Sequence, residues 1–317
     1  MEGPSPLQPV REVERLTITV VTDNYYDALR QDTGPAIRYR TTPGASIHAE
    51  HGLSYFIETA TTGGRSTLMF DYGVDAPGIL NNLKLLGIDL GAVDALGLSH
   101  GHFDHWGGLT EILKGSRSRT WNGTPLYVGE ETFAHRYTLR AEGTLTDIGM
   151  LDRTEVEGTG VRIIEVDKPT EIAPGVYLSG PIERVTEYEQ VPPYLLVERG
   201  GELQQDLFQG EQALAFVVKG KGLVVLSGCA HAGIVNTVRH AQEITGVSRL
   251  YALLGGFHLI NASPEIIEAT IADIKAMSPD FVVPTHCTGF EAVTRFREEM
   301  AGQFILNTAG TRYTFGG

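Results

Sequence analysis

The sequence predicts an α/β protein built from two sheets packed face to face, with helices outside both. Three observations carry that expectation. Short β-branched runs recur between stretches whose apolar residues have helical spacing. At coarse scale the two halves read alike, each giving a hairpin, a histidine-bearing loop and then a helix. Four turns that each follow a predicted strand carry histidine, at residues 99–105, 227–231, 254–258 and 283–286. Strand ends are where α/β proteins gather sites, because loops from several strands converge there.

Residues 1–15 contain prolines and no useful periodicity, which reads as a flexible leader. Residues 16–317 then form a single domain. An alternating β-branched run at 16–21 is the first strand. A loop at 26–45, rich in Arg, Gly, Thr and Pro, reads as a lid-like insertion or an ordinary surface connection. Residues 53–60 and 66–71 make a hairpin through Thr61-Thr62-Gly63-Gly64. A helix follows at 75–86, with Pro77 in its first turn and Gly87 as its stop.

Residues 93–98 are a buried strand, 109–114 a short helix and 125–128 another strand. Residues 129–140 read as a helix carrying a solvated His135. The stretch 141–215 is weakly patterned, with strands expected at 161–166 and 175–179 and a second lid-like insertion at 183–212. A second strong hairpin spans 213–218 and 222–226, followed by a helix at 232–245 and a strand at 250–254. Ser263 heads a helix with Pro264 at its first position, running to 276. A strand at 281–283, a helix at 290–300 and closing strands at 304–306 and 312–315 complete the chain.

The chemistry concentrates in Ser99-His100-Gly101-His102-Phe103-Asp104-His105. Side chains two apart in an extended segment share a side, so His100 and His102 can grip one cation. A turn allowed by Gly101 and by Gly107-Gly108 would bring Asp104 and His105 to a second cation nearby. Nitrogen donors with a carboxylate suit zinc, iron or manganese better than calcium or magnesium.

These residues carry a resemblance. His100 to His105 resembles the HxHxDH signature of the metallo-β-lactamase superfamily, and Asp71-Tyr72-Gly73 lies where that family has a DxG-type turn. Further stretches resemble the subgroup of 7,8-dihydropterin-6-yl-methyl-4-(β-D-ribofuranosyl)aminobenzene-5'-phosphate synthases. They are His51-Gly52-Leu53-Ser54, Ser227-Gly228-Cys229-Ala230-His231, Gly255-Gly256-Phe257-His258-Leu259 and Pro284-Thr285-His286-Cys287. The resemblance implies a four-layer αββα sandwich of two mixed sheets flanked by helices. It also implies two divalent metal ions, zinc first, with iron or manganese as alternatives. His100, His102 and His231 would hold one ion, and Asp104, His105 and His286 the other. Asp71 would orient a ligating histidine.

The chain departs from the family in one turn. Where a bridging aspartate is usual, Gly255-Gly256-Phe257-His258 holds no carboxylate. Three fillings are open: His258 itself, a thiolate from Cys229, or water alone. Two cations about 3.5–4 Å apart would share a hydroxide near neutral pH. Asp104 would orient it, and His258 would face the metals or the substrate.

The preferred activity is therefore hydrolysis of a small ester, lactone, amide or phosphoester. A synthase-type transferase is the second reading; it needs phosphate-binding cations, for which Arg136, Arg140 and Arg184 are the candidates. A non-hydrolytic di-iron or sensor protein is the third. There is no GxSxG turn for a serine nucleophile. A formal charge of −14 lacks the basic footprint of a nucleic-acid partner. It leaves room for a small-molecule substrate, because a metal pair is itself positive. Two cysteines, Cys229 and Cys287, are too few for a disulfide framework and read as reduced thiols. No signal peptide and no apolar run of about 18 residues is present, so a cytoplasmic monomer or homodimer without membrane contact is expected.

Overall fold

The alternating run near the amino terminus becomes strand Arg15–Thr22, in which every residue after Arg15 is buried. Burial on both faces follows from its position, with a second sheet on one side and helices on the other. The structure, a computed structural model, describes residue 7 and residues 9–115 and 121–317. Among these, an eight-stranded sheet runs in the order Arg162–Glu165, Pro125–Val128, Ala95–Gly97, Gly64–Phe70, Ser54–Thr61, Arg15–Thr22, Arg312–Gly316, Ala36–Ile37. A seven-stranded sheet packs against it: Thr170–Ala173, Val176–Leu178, Leu214–Val218, Gly222–Ser227, Leu250–Gly256 and Phe281–Thr285, with Glu12–Val13 added on Leu214–Val218.

The main core lies between the sheets and includes Leu16, Ile18, Phe70, Phe216, Leu226 and Val283. Burying each such side chain stabilises the fold by roughly 1.5–3 kcal/mol. Helices Ile234–Thr245, Pro264–Ala276 and Phe290–Glu299 cover the outer face of one sheet. Helices Ala76–Leu85 and Leu109–Gly115 cover the other. This is the expected αββα sandwich. No helix among the described residues is long and apolar enough to cross a membrane.

Parallel pairing positions the site. Gly222–Ser227, Leu250–Gly256 and Phe281–Thr285 are adjacent and parallel, so the turns after them emerge side by side. Gly64–Phe70 and Ala95–Gly97 are likewise parallel neighbours in the facing sheet. The turns beginning at Asp71, Leu98, Gly228, Phe257 and His286 follow the carboxyl ends of these strands.

Several expectations need correction. Residues 129–140 are not helical: a run of turns is followed by strand Arg136–Leu139, which pairs with Leu145–Gly149 and Leu195–Arg199. With Glu202–Gln205 these form a separate four-stranded sheet. The insertion at 183–212 thus contains a hairpin rather than loop alone; its strands, Leu195–Arg199 and the mostly polar Glu202–Gln205, are short and lack the apolar alternation that marks a strand in sequence. Residues 304–306 make only a bridge, between Phe304 and Val282. The leader is docked in part: Val13 is buried, and the Leu7 amide donates to the Ile244 carbonyl. Its residues 1–6 and 8 lie outside the described residues. The loop at 26–45 is pinned to the sheet edge by buried Arg38, whose guanidinium donates to Thr308, Thr311 and the Leu306 carbonyl.

Candidate metal centre

His100 follows strand Ala95–Gly97 and His102 caps the short helix Phe103–Trp106. His231 follows strand Gly222–Ser227. The ring centres of these three histidines lie 4.8–4.9 Å apart, and all three are buried. Nε2 of His100 and both ring nitrogens of His231 have no hydrogen-bond partner among the described residues. Buried polar atoms are nearly always satisfied, so lone pairs left converging on one point fit a cation. Burial lowers the pKa of His100 and His231 and takes that of His102 to about 3. All three are therefore neutral near pH 7, the state a metal requires.

A second cluster adjoins it. Asp104 Oδ2 lies 3.1 Å from His286 Nε2 and 3.8 Å from His105 Nε2. Burial alone would raise the Asp104 pKa, but His105, His286 and His102 hold it well below the usual range. Burial pulls His286 down, and Asp104 and its other neighbours outweigh that, leaving it at about 9. Cys229 Sγ sits between the clusters, 3.1 Å from His105 Nε2. It lies within 4.8 Å of donor atoms from Asp104, His105 and His286, and equally of those from His100 and His231.

Asp71 anchors the arrangement. Its carboxylate accepts from the Ser99 amide and hydroxyl, both at 2.8 Å, and lies 2.7 Å from His105 Nδ1. Ser99 Oγ is also 2.9 Å from His100 Nδ1. His286 Nδ1 lies 3.0 Å from Asn24 Oδ1. Each of these rings thus has its Nδ1 proton taken by an oxygen, which turns Nε2 inward, toward Cys229 in His105 and toward Asp104 in His286. Gly228 is required here, since a Cβ would collide with Ser99. Asp71, Phe208, Ala230, His258 and His286 all have positive φ without being glycine. Such strain costs of order 1–3 kcal/mol each and persists only where the surroundings enforce it.

His258 packs against His231 with ring centres 4.0 Å apart. Its donor atom groups with Cys229 and Cys287 rather than with Asp104, His105 and His286. Of the two side chains considered for the missing carboxylate, Cys229 is the one whose donor adjoins both clusters. Sequence reasoning left out several neighbours. Phe208 stacks on His231 at 3.8 Å and 5°. Glu211 accepts from the amides of His231 and Ala232, and exposed His51 stacks on His286. His51 was visible as part of a family stretch; Phe208 and Glu211 lie in the insertion, where no pattern marks them. His135 lies apart, 2.7 Å from Asp147.

The metallo-beta-lactamase superfamily profile matches residues 49–187. A 7,8-dihydropterin-6-methyl-4-(beta-D-ribofuranosyl)-aminobenzene-5'-phosphate synthase of Methanocaldococcus jannaschii is 35% identical over 268 residues, 83% of this chain and 89% of that protein. The chain belongs to the metallo-β-lactamase superfamily. Among solved structures of that superfamily, Tm1679, a metal-dependent hydrolase, covers 95% of this chain and 100% of its own at TM-score 0.74 and 28% identity. YhfI of Bacillus subtilis, a metallo-beta-lactamase fold protein, matches at TM-score 0.53 and 14% identity, which speaks for the fold alone. Two buried free thiols, Cys229 and Cys287, lie beside the histidines of this chain.

Proposed function

We propose that this chain is a metal-dependent hydrolase of a small ester, lactone, amide or phosphoester. One observation carries the reading: the unpartnered Nε2 of neutral His100 and the unpartnered ring nitrogens of neutral His231 converge with His102 beside the Asp104–His105–His286 cluster. His100, His102 and His231 would hold one ion, and Asp104, His105 and His286 the other, with Cys229 next to both. The donor set suits zinc, with iron or manganese as alternatives. Divalent cations so held supply a Lewis acid that lowers the proton affinity of water and stabilises negative charge on a substrate oxygen.

The chain's own residues then have separate tasks. Asp71 holds the Nδ1 proton of His105, and Ser99 passes the same constraint to His100. Asn24 does this for His286. Phe208 covers one face of His231 and meets His100 and His102 edge-on, which keeps water from that side. Asp104 stays ionised among His286, His105 and His51, so its Oδ2 is placed to accept a hydrogen bond and orient a water or substrate group.

A transferase reading has one supporting observation, the name of the relative at 35% identity. Of the arginines it would use, Arg136 is held in a buried ion pair and Arg140 is exposed, while Arg184 keeps a buried Nε without a partner among the described residues. Arg136 pairs with Asp206, Arg140 with Thr146, and Arg184 with the Leu207 carbonyl.

Metal content by mass spectrometry, paired with a turnover screen of lactones, esters and phosphoesters, tests the proposal. Wild type should carry two equivalents of divalent metal and turn over at least one class. His102→Ala should lose metal and turnover together. A variant keeping both in full would overturn the ligand set; a loaded wild type inert on every class would overturn the hydrolase reading.

A further inference from the structure

We infer that the cavity beside His231 and His258 receives an uncharged, mainly hydrocarbon group of the substrate and so selects what the metal centre acts on. The inference rests on the hydrolase reading for the role of that group, though not for its binding. The cavity has a volume of about 350 Å³ and lies between residues 188–194 and the turn at 257–263. One wall is Val191, Pro192, Pro193 and Tyr194. The other is Phe257, Leu259, Ile260, Ala262 and Ile266. His231 and His258 also line it, so a group seated there would adjoin the proposed metal centre.

The polar inventory disfavours a charged occupant. Among the described residues no Lys or Arg lines the cavity, and Glu189 is the acidic side chain in its wall. The Glu189 carboxylate accepts from the Val235 and Asn236 amides and the Thr186 hydroxyl. Tyr188 turns its hydroxyl away to Asp273. Pro192 and Pro193 bring no amide donors to their wall. Between those two walls, away from the metal end, a phosphate, sulfonate or carboxylate would lose hydration with no lysine or arginine among the described residues to pair with, and would face Glu189. A hydrocarbon group loses nothing on entry and gains by leaving water.

Fluorescence titration of the metal-loaded protein with N-phenylnaphthylamine, and with its sulfonated counterpart, tests this without needing turnover. The uncharged probe should bind at least about tenfold tighter, a difference of about 1.4 kcal/mol. Ala262→Phe, which narrows the cavity at a partly exposed position, should weaken the uncharged probe by at least about tenfold. Ile266→Lys, at a half-buried position of helix Pro264–Ala276 that lines the cavity, should shift the preference toward the sulfonate. Equal binding of the two probes by wild type, or binding unaffected by both substitutions, would overturn the inference. Probe binding as expected with no hydrolysis of any ester or lactone removes the hydrolase reading and leaves the cavity's preference standing. Hydrolysis with a cavity indifferent to both variants does the reverse.

Discussion

The Asp71 carboxylate lies 2.7 Å from Nδ1 of His105, and both side chains are wholly inaccessible to solvent. The same carboxylate takes both hydrogens of Ser99, whose hydroxyl oxygen meets His100. One aspartate thereby fixes a histidine from each of the two donor clusters. Asp71→Asn keeps the shape but puts an amide where the proton of His105 must be accepted. Metal affinity should fall by about 10–100-fold with the fold retained, measured by chelator competition and circular dichroism. Unchanged affinity would show that Asp71 serves the turn only.

Buried Arg136 and Asp206 form a second tie, 2.7 Å apart. Arg136 also points at the Gly101 carbonyl and Asp206 accepts from the Phe208 amide, so the pair joins the histidine loop to the insertion. Arg136→Met strands a buried carboxylate and should cost about 3–5 kcal/mol. Arg136→Met with Asp206→Leu should recover most of that stability, because an apolar pair replaces an ionic one without an orphan charge. Urea unfolding separates the two. A single variant losing less than about 1 kcal/mol, the level of an exposed pair, would contradict the assignment.

The elements legible in the sequence were those whose local pattern and burial agree. The strand at 16–21 and the helix at 75–86 each carry their own signal: β-branched alternation in one, Pro77 in the first turn and Gly87 as the stop in the other. The histidine loops were legible because chemistry forces residue types that packing does not. What could not be read was the small sheet of 136–149 and 195–205. Its Glu202–Gln205 strand is exposed throughout and polar, so only long-range pairing with Leu195–Arg199 defines it. Phe208 and Glu211 were hidden for the same reason, since their place at the site is set by distant partners.

That small sheet has a pH-sensitive contact. Glu131, on the turn before it, accepts from Arg199 Nη2 at 2.7 Å and from Arg199 Nε. The Arg199 bond lowers the Glu131 pKa from the usual 4.5, against a smaller opposing effect of burial. A depressed folded pKa means stabilisation present above the unfolded value and lost as pH falls through the folded one. The stability difference between wild type and Glu131→Gln should therefore be steady near neutrality and shrink below pH 4.5. It should not exceed about 1 kcal/mol, because the pair is partly solvated. A difference that grew on acidification would have the wrong sign.

Phe208 lies flat on His231, and it holds a left-handed backbone conformation with φ 50° to do so. It belongs to a small apolar group with Val191 and Leu195 rather than to the main core. Phe208→Ala should therefore cost less than the about 3–5 kcal/mol typical of a core phenylalanine, while exposing the ring of His231 to water. The larger effect should be kinetic: bound metal should leave faster when captured by excess chelator. Phe208→Leu restores apolar cover without a stackable ring and should fall between Ala and wild type. If the dissociation rate stays constant across the three while stability falls, Phe208 only packs the insertion and does not shield the histidines.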